Sequence, residues 1–210
     1  MIYKIIKRGF DLTSSLLLLI AISPLMVVLA VMVRIKLGRP VFFRQIRTGK
    51  NMREFPLYKF RSMTNARNAQ GELLSDSERM TRFGIFLRSS SLDELPELFN
   101  IIKGDMSVIG PRPLLPKYNQ YYYPGELERF NVRPGLVTPG SVDPNPNISW
   151  DKQFRYEAAY ARNLGIRTDL KIFCSVFGTL LRRSESNYGA TERKSLCKER
   201  AHILTSNSPQ

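Results

Sequence analysis

Histidine is almost missing from this sequence. His202 is the only one, and it lies in a polar tail rich in Ser, Arg and Lys. That argues against a Ser-His-Asp triad, a His-ligated zinc site and a histidine general base. Cysteine is nearly as scarce. Cys174 and Cys197 match no metal-ligand spacing and no disulfide framework, which reads as a reducing compartment. There is no Walker A loop and no dinucleotide-binding glycine pattern. Catalysis, if any, is left to carboxylates, Lys, Arg, hydroxyls and a metal ion. Acidic residues are also short: 18 Asp and Glu against 32 Lys and Arg, a formal net charge of +14. The partners should therefore be anionic, and nucleic acid, acidic lipid headgroups and a phosphate-bearing substrate all fit. A chain of 210 residues, 43% hydrophobic, suits one compact domain plus an extra element.

Residues 12–33 contain no charge. At about 1.5 Å per residue, a helix of this length spans a hydrocarbon core of roughly 30 Å. The run is too long for a cleaved signal peptide, and no small-residue cleavage site follows it. Both flanks are basic, with Lys4, Lys7 and Arg8 before and Arg34, Lys36, Arg39, Arg44, Arg47 and Lys50 after. The positive-inside rule places both sets in the cytoplasm. Ser23-Pro24 sits at the centre, where proline removes a backbone hydrogen bond and the Ser23 hydroxyl can satisfy the freed carbonyl. Two forms fit: a helix–bend–helix that enters and leaves on one face, or a transmembrane helix with a proline kink.

Beyond the anchor, residues 41–47 and 53–60 are aromatic and branched runs separated by Thr48-Gly49-Lys50-Asn51, which predicts a β-hairpin. Residues 61–80 read as a loop with one or two helical turns. Residues 91–103 predict a helix, with Ser91 and Glu94 at capping-box spacing and Gly104 closing it. Gly110-Pro111-Arg112-Pro113 is a stiff turn. Residues 149–164 and 170–181 predict two more helices, the second capped by Thr168 or Asp169. Residues 184–210 are polar and aperiodic, which predicts a mobile tail.

Asp93 and Glu94 open the 91–103 helix. Acids in a first turn commonly complement the helix dipole and need no further purpose. Here Lys59, Arg61, Arg88 and Arg112 lie in bordering segments or neighbouring short elements, and cations around a helix start make a phosphate site. A carboxylate there could attack phosphorus or hold a metal.

At these motifs the sequence resembles the bacterial sugar transferases of the monotopic phosphoglycosyl transferase superfamily. It is most similar to the small single-domain members, typified by the transferase of bacterial protein N-glycosylation. The matching stretches begin with Lys7-Arg8-Gly9-Phe10-Asp11, the apolar run with Ser23-Pro24, and Pro40-Val41-Phe42-Phe43-Arg44-Gln45. They continue with Tyr58-Lys59-Phe60-Arg61-Ser62-Met63, Leu87-Arg88, and Ser91-Leu92-Asp93-Glu94-Leu95-Pro96 with Asn100. The stretch from Gly104 through Pro113, Arg133-Pro134-Gly135, Ile148-Ser149-Trp150 and Asp169-Leu170-Lys171-Ile172 complete them, so the resemblance covers roughly residues 1–183.

The resemblance implies a mainly α fold with a short β-hairpin, in a monotopic membrane protein. Residues 1–39 would form a re-entrant anchor broken at Ser23-Pro24, residues 40–183 a compact cytoplasmic catalytic domain, and residues 184–210 the polar tail. It also implies a reaction at the cytoplasmic face of the bacterial inner membrane. Asp93 would attack the β-phosphorus of a UDP-sugar, release UMP and pass the phosphosugar to polyprenyl (undecaprenyl) phosphate, the first membrane step of glycoconjugate assembly. Glu94 would bind Mg²⁺; Arg88, Arg112 and Lys59 would hold phosphate oxygens. The partners implied are the UDP-sugar, the polyprenyl phosphate and membrane lipids, with no nucleic acid.

One segment departs from the pattern. After Arg133-Pro134-Gly135 the family continues with an Ile-Thr-Gly-Trp-Ala-Gln-Val-Asn-Gly-Arg-Asn type of run. Here Pro139 stands for the usual Trp and Asn145 for the usual Arg, which points to altered sugar recognition. Two other readings compete: a degenerate family member serving as a membrane scaffold, and a basic membrane-anchored protein that binds nucleic acid or lipid.

Overall fold

The computed structural model describes residues 2–143, 145, 148–183 and 195–201. In chain order these form α1 (Ile2–Lys36), β1 (Phe42–Thr48), β2 (Glu54–Phe60), α2 (Asp76–Arg79), α3 (Arg82–Ser89), α4 (Glu97–Lys103), β3 (Ser107–Ile109), β4 (Gly135–Val137), α5 (Trp150–Arg162), α6 (Ile166–Arg183) and α7 (Leu196–Glu199). The fold is mainly helical, as expected, with β1 and β2 paired as an antiparallel hairpin.

The chain falls into two compact units. One comprises residues 1–9, 46–55 and 104–210; the other comprises residues 10–45 and 56–103. Helix α1 contributes to both units.

Helix α1 runs 35 residues with Pro24 inside it. Pro24 has no N–H for the carbonyl of Ile20, four residues back. The Ser23 hydroxyl donates to that carbonyl at 2.8 Å, so the deficit is repaired locally. Only a stripe of the helix is buried in protein. Met26, Leu29 and Val33, with Leu37 just beyond the helix, recur at helical spacing and pack against Phe60 and Leu87 in the core of the second unit. Leu12, Leu16, Leu17, Ile20, Val27, Val28 and Val31 are exposed. Such a continuous apolar surface marks a membrane contact, and α1 is long and apolar enough for one.

The core of the first unit is aromatic: Tyr121, Tyr122, Phe130 and Phe154 pack with Leu114 and Leu196. Strand β3 pairs in parallel with β4, a sheet that hydrophobic patterning did not reveal. Its register depends on glycine. A Cβ on Gly135 would lie 2.0 Å from the Gly110 nitrogen, so the two backbones can approach only without side chains.

Three expectations change. The 91–103 helix is broken: a 3-10 turn, Leu92–Glu94, precedes α4. Pro96 cannot donate to the Leu92 carbonyl, which instead accepts from Leu95 N–H at 3.4 Å. Nor does Ser91 make a side-chain cap, so the capping box is not formed; its backbone is left-handed, at φ 56°. Helix α6 starts at Ile166 and Asp169 does not cap it; its carboxylate accepts from Tyr3, Lys7 and Tyr160. Finally, much of the expected mobile tail lies outside the described residues, but 195–201 are firmly packed. Leu196 is fully buried, and the Arg200 guanidinium pairs with both Glu126 carboxylate oxygens at 2.6 and 2.7 Å and with Asp151. The contacts are long-range in sequence, so no local pattern foretold them.

Arg200→Met should therefore destabilise the protein by about 3 kcal/mol, because it strands the Glu126 carboxylate without its cation. Denaturant unfolding in detergent checks this; native stability would show that the segment is not anchored through Arg200.

Candidate active site

The 3-10 turn carrying Asp93 borders the hydrophobic core of the second unit. Leu92 and Leu95, on either side of Asp93 and Glu94, pack against the cluster containing Met26, Leu29 and Val33. Ser91 precedes them in a conformation uncommon for a non-glycine residue, so strain sits two residues from the carboxylate. Asp93 itself is only 7% exposed.

Three elements of the second unit bring charge to this turn. Strand β2 supplies Lys59, whose ammonium lies 2.6 Å from Glu94 Oε1 and 3.2 Å from Glu97 Oε1. Helix α3 supplies Arg88, whose Nε donates to Ser62 Oγ at 2.9 Å. Gly84 makes that contact possible: a Cβ there would meet the Ser62 carbonyl oxygen at 1.9 Å, so only glycine lets α3 lie on this segment. The turn supplies Asp93 and Glu94. Lys59, Arg88, Asp93 and Glu94, all expected from sequence, thus share one electrostatic neighbourhood.

Burial pushes the Asp93 carboxyl above the usual aspartate range; Lys59 pulls it down, Glu94 adds to the rise, and Arg88 opposes it. The cations beside it do not hold it readily ionised, because desolvation outweighs them here.

Two residues of this site escaped sequence reasoning. Glu97, buried in α4, is the second carboxylate on Lys59. Asn100, fully buried, accepts from Tyr58 N–H at 3.0 Å and donates to the Pro56 carbonyl at 2.7 Å, tying β2 to α4. A buried polar pair at i, i+3 on an otherwise apolar helix was the available signal. Arg61 is structural: its buried guanidinium donates to the Arg39 carbonyl. Arg112 belongs to the first unit, with its side chain exposed and its main chain tightly held.

Among the described residues no group of three or more His, Cys, Asp and Glu side chains could hold a metal alone. Mg²⁺ is commonly held by one or two carboxylates together with substrate phosphates. The adjacent Asp93 and Glu94, the latter 28% exposed at its side chain, supply hard oxygen donors that fit this arrangement.

Because ionised Asp93 is disfavoured by burial, Asp93→Asn should raise the melting temperature at neutral pH. The native carboxylate loses stability as pH rises from the unfolded aspartate pKa, near 3.9, through its raised folded value. The advantage of Asn should hence be full above the folded value and vanish below about pH 3.9. Melting curves across pH check this, and a destabilised Asp93→Asn at neutral pH would reverse the sign.

A family model described as bacterial sugar transferase matches residues 2–183. The uncharacterized sugar transferase EpsL of Bacillus subtilis (strain 168) is 43% identical over 170 residues, covering 81% of this chain and 84% of the relative. A UDP-glucose:undecaprenyl-phosphate glucose-1-phosphate transferase of Klebsiella pneumoniae is 37% identical over 194 residues, 87% of this chain but 42% of the relative. A UDP-N-acetylgalactosamine-undecaprenyl-phosphate N-acetylgalactosaminephosphotransferase of Aeromonas hydrophila is 35% identical, covering 86% of this chain and 44% of the relative. The chain spans less than half the length of the last two. By the family match over nearly its whole described length, the chain belongs to the bacterial sugar transferase family.

Proposed function

We propose that this chain transfers a phosphosugar from a UDP-sugar to undecaprenyl phosphate, through a covalent intermediate on Asp93. One observation carries the reading: a buried carboxylate, in a strained turn between Lys59 and Arg88, within the segment matched to the family. The named activities of the Klebsiella and Aeromonas relatives support the substrate classes. Those two relatives carry different sugars in their names, so the sugar is not transferred with the family.

The chemistry balances without histidine. An Asp93 oxygen attacks the β-phosphorus, the bond from that phosphorus to the bridging oxygen breaks, and UMP leaves with the electron pair. An oxygen of undecaprenyl phosphate then attacks the aspartyl-bound phosphorus and restores the carboxylate. Lys59 and Arg88 offset the charge of the diphosphate. Bound Mg²⁺, held by Glu94, would neutralise the diphosphate so that an anionic nucleophile can approach. The exposed apolar face of α1 supports a reaction at the membrane surface, where lipid phosphate and soluble nucleotide-sugar can meet.

For the anchor, the re-entrant form is the proposal, with residues 1–39 as anchor, 40–183 as the catalytic domain and both ends of the anchor cytoplasmic. The basic flanks and the proline at the centre of the apolar run support it. The departing segment at 136–147 is proposed to tune sugar choice. Its described part is latched to α5, where Asp143 accepts from Tyr156 OH at 2.9 Å and pairs with Lys152.

Incubation with a panel of UDP-sugars, Mg²⁺ and no lipid should leave a phosphosugar adduct on the native chain, seen by intact-protein mass spectrometry. Asp93→Asn should show no adduct and no turnover, while Glu94→Gln should be severely impaired and partly rescued by raised Mg²⁺. An adduct on another residue, or near-native turnover of Asp93→Asn, would falsify the two-step route.

Single cysteines at positions 2 and 39 should both resist labelling from outside the cell, and labelling of only one would mean a spanning helix.

A further inference from the structure

The turn Gly110-Pro111-Arg112-Pro113 has few backbone donors, because neither proline carries an N–H. Its remaining polar groups are committed. Gly110 N–H donates to the Val137 carbonyl at 3.0 Å, and the Pro111 carbonyl accepts from Gly135 N–H at 2.9 Å. The Pro113 carbonyl accepts from Arg47 at 3.3 Å.

Arg112 is held in another way, by two buried charges. Its N–H donates to Glu157 Oε1 at 3.0 Å, and its carbonyl accepts from Arg129 Nη2 at 2.6 Å. The two charges also bind each other, with Arg129 Nε 2.8 Å and Nη2 2.7 Å from Glu157 Oε2. The result is a closed ring around the main chain of Arg112. Gln153 donates to Glu157 Oε1 at 2.9 Å, and Arg129 Nη1 donates to Tyr122 OH at 2.8 Å, so the ring members are themselves fixed. The side chains of Arg129 and Glu157 are 1% and 0% exposed, whereas Arg112 is exposed.

A buried ion pair adds little net stability over apolar residues of similar volume. What this pair does that apolar residues could not is satisfy both main-chain groups of a residue between two prolines. We propose that Glu157 and Arg129 are positioning residues that fix the backbone of Arg112, so that its exposed guanidinium is presented to a nucleoside diphosphate. The inference rests on the transferase reading for the identity of that anion. It assigns no contact between these two residues and the substrate.

The test is a double-mutant cycle between Glu157→Gln and Arg112→Ala, read as UDP affinity in the presence of Mg²⁺ and as UMP release from a UDP-sugar. Glu157→Gln should weaken both by roughly tenfold or more in the native background. It should add no further loss when Arg112 is already Ala. A merely structural defect would cut both backgrounds by the same factor and overturn the proposal, as would UDP binding indifferent to Arg112→Ala. Should Glu157→Gln fail to fold, the apolar pair Arg129→Met with Glu157→Met removes both charges together. That variant should melt near the native temperature yet bind UDP only as well as Arg112→Ala; native affinity in it overturns the proposal. Coupling in UDP binding without UMP release from any UDP-sugar would uphold the positioning role while sinking the transferase reading.

Discussion

The turn that carries Asp93 depends on one apolar seat. Leu92 and Leu95 hold the turn carrying Asp93 against the cluster of Met26, Leu29, Val33, Phe60 and Leu87. Fully burying a leucine contributes about 1.5–3 kcal/mol; Leu92 and Leu95 are half-buried and contribute part of that against the backbone strain at Ser91. Helix α1 supplies Met26, Leu29 and Val33 and presents its other apolar residues outward. One helix thus has two faces, a stripe packed on protein and an exposed apolar surface long enough to contact a membrane.

The seat has an electrostatic cost. A carboxylate pushed out of water resists ionisation, and Lys59 and Arg88 only partly offset that. Lys59 is itself shared between Glu94 and Glu97, so the cation is held in place before any substrate arrives. Asn100 keeps the strand bearing Lys59 attached to the helix bearing Glu97. Stability given up at Asp93 is matched by order in the groups around it.

The first unit handles charge in the opposite manner. Arg129 with Glu157, and Arg200 with Glu126, are buried and almost fully bonded. In a chain of net charge +14 these arginines are not part of the anion-attracting surface. They organise backbone and aromatic rings, the Arg200 guanidinium lying 4.3 Å from the Tyr123 ring centre. Net charge alone therefore says little about which cations meet a ligand; burial decides it.

The sequence by itself determined the apolar anchor, the hairpin, the helices at 150–162 and 166–183 to within a few residues, and Asp93 with its neighbours Lys59, Arg88 and Glu94. Each of these is written locally, in hydropathy, periodicity, turn residues or a contiguous motif. Tertiary structure decided the rest. The helix starting at Ser91 was broken because Pro96 removes a donor that periodicity does not register. The parallel pairing of β3 with β4 depends on Gly110 meeting Gly135 across some 25 residues of chain. Glu97, Asn100, Glu157 and Arg200 act through partners between 28 and 79 residues away. The ionisation of Asp93 depends on its burial, and burial is a property of everything packed around a residue, which no local pattern encodes.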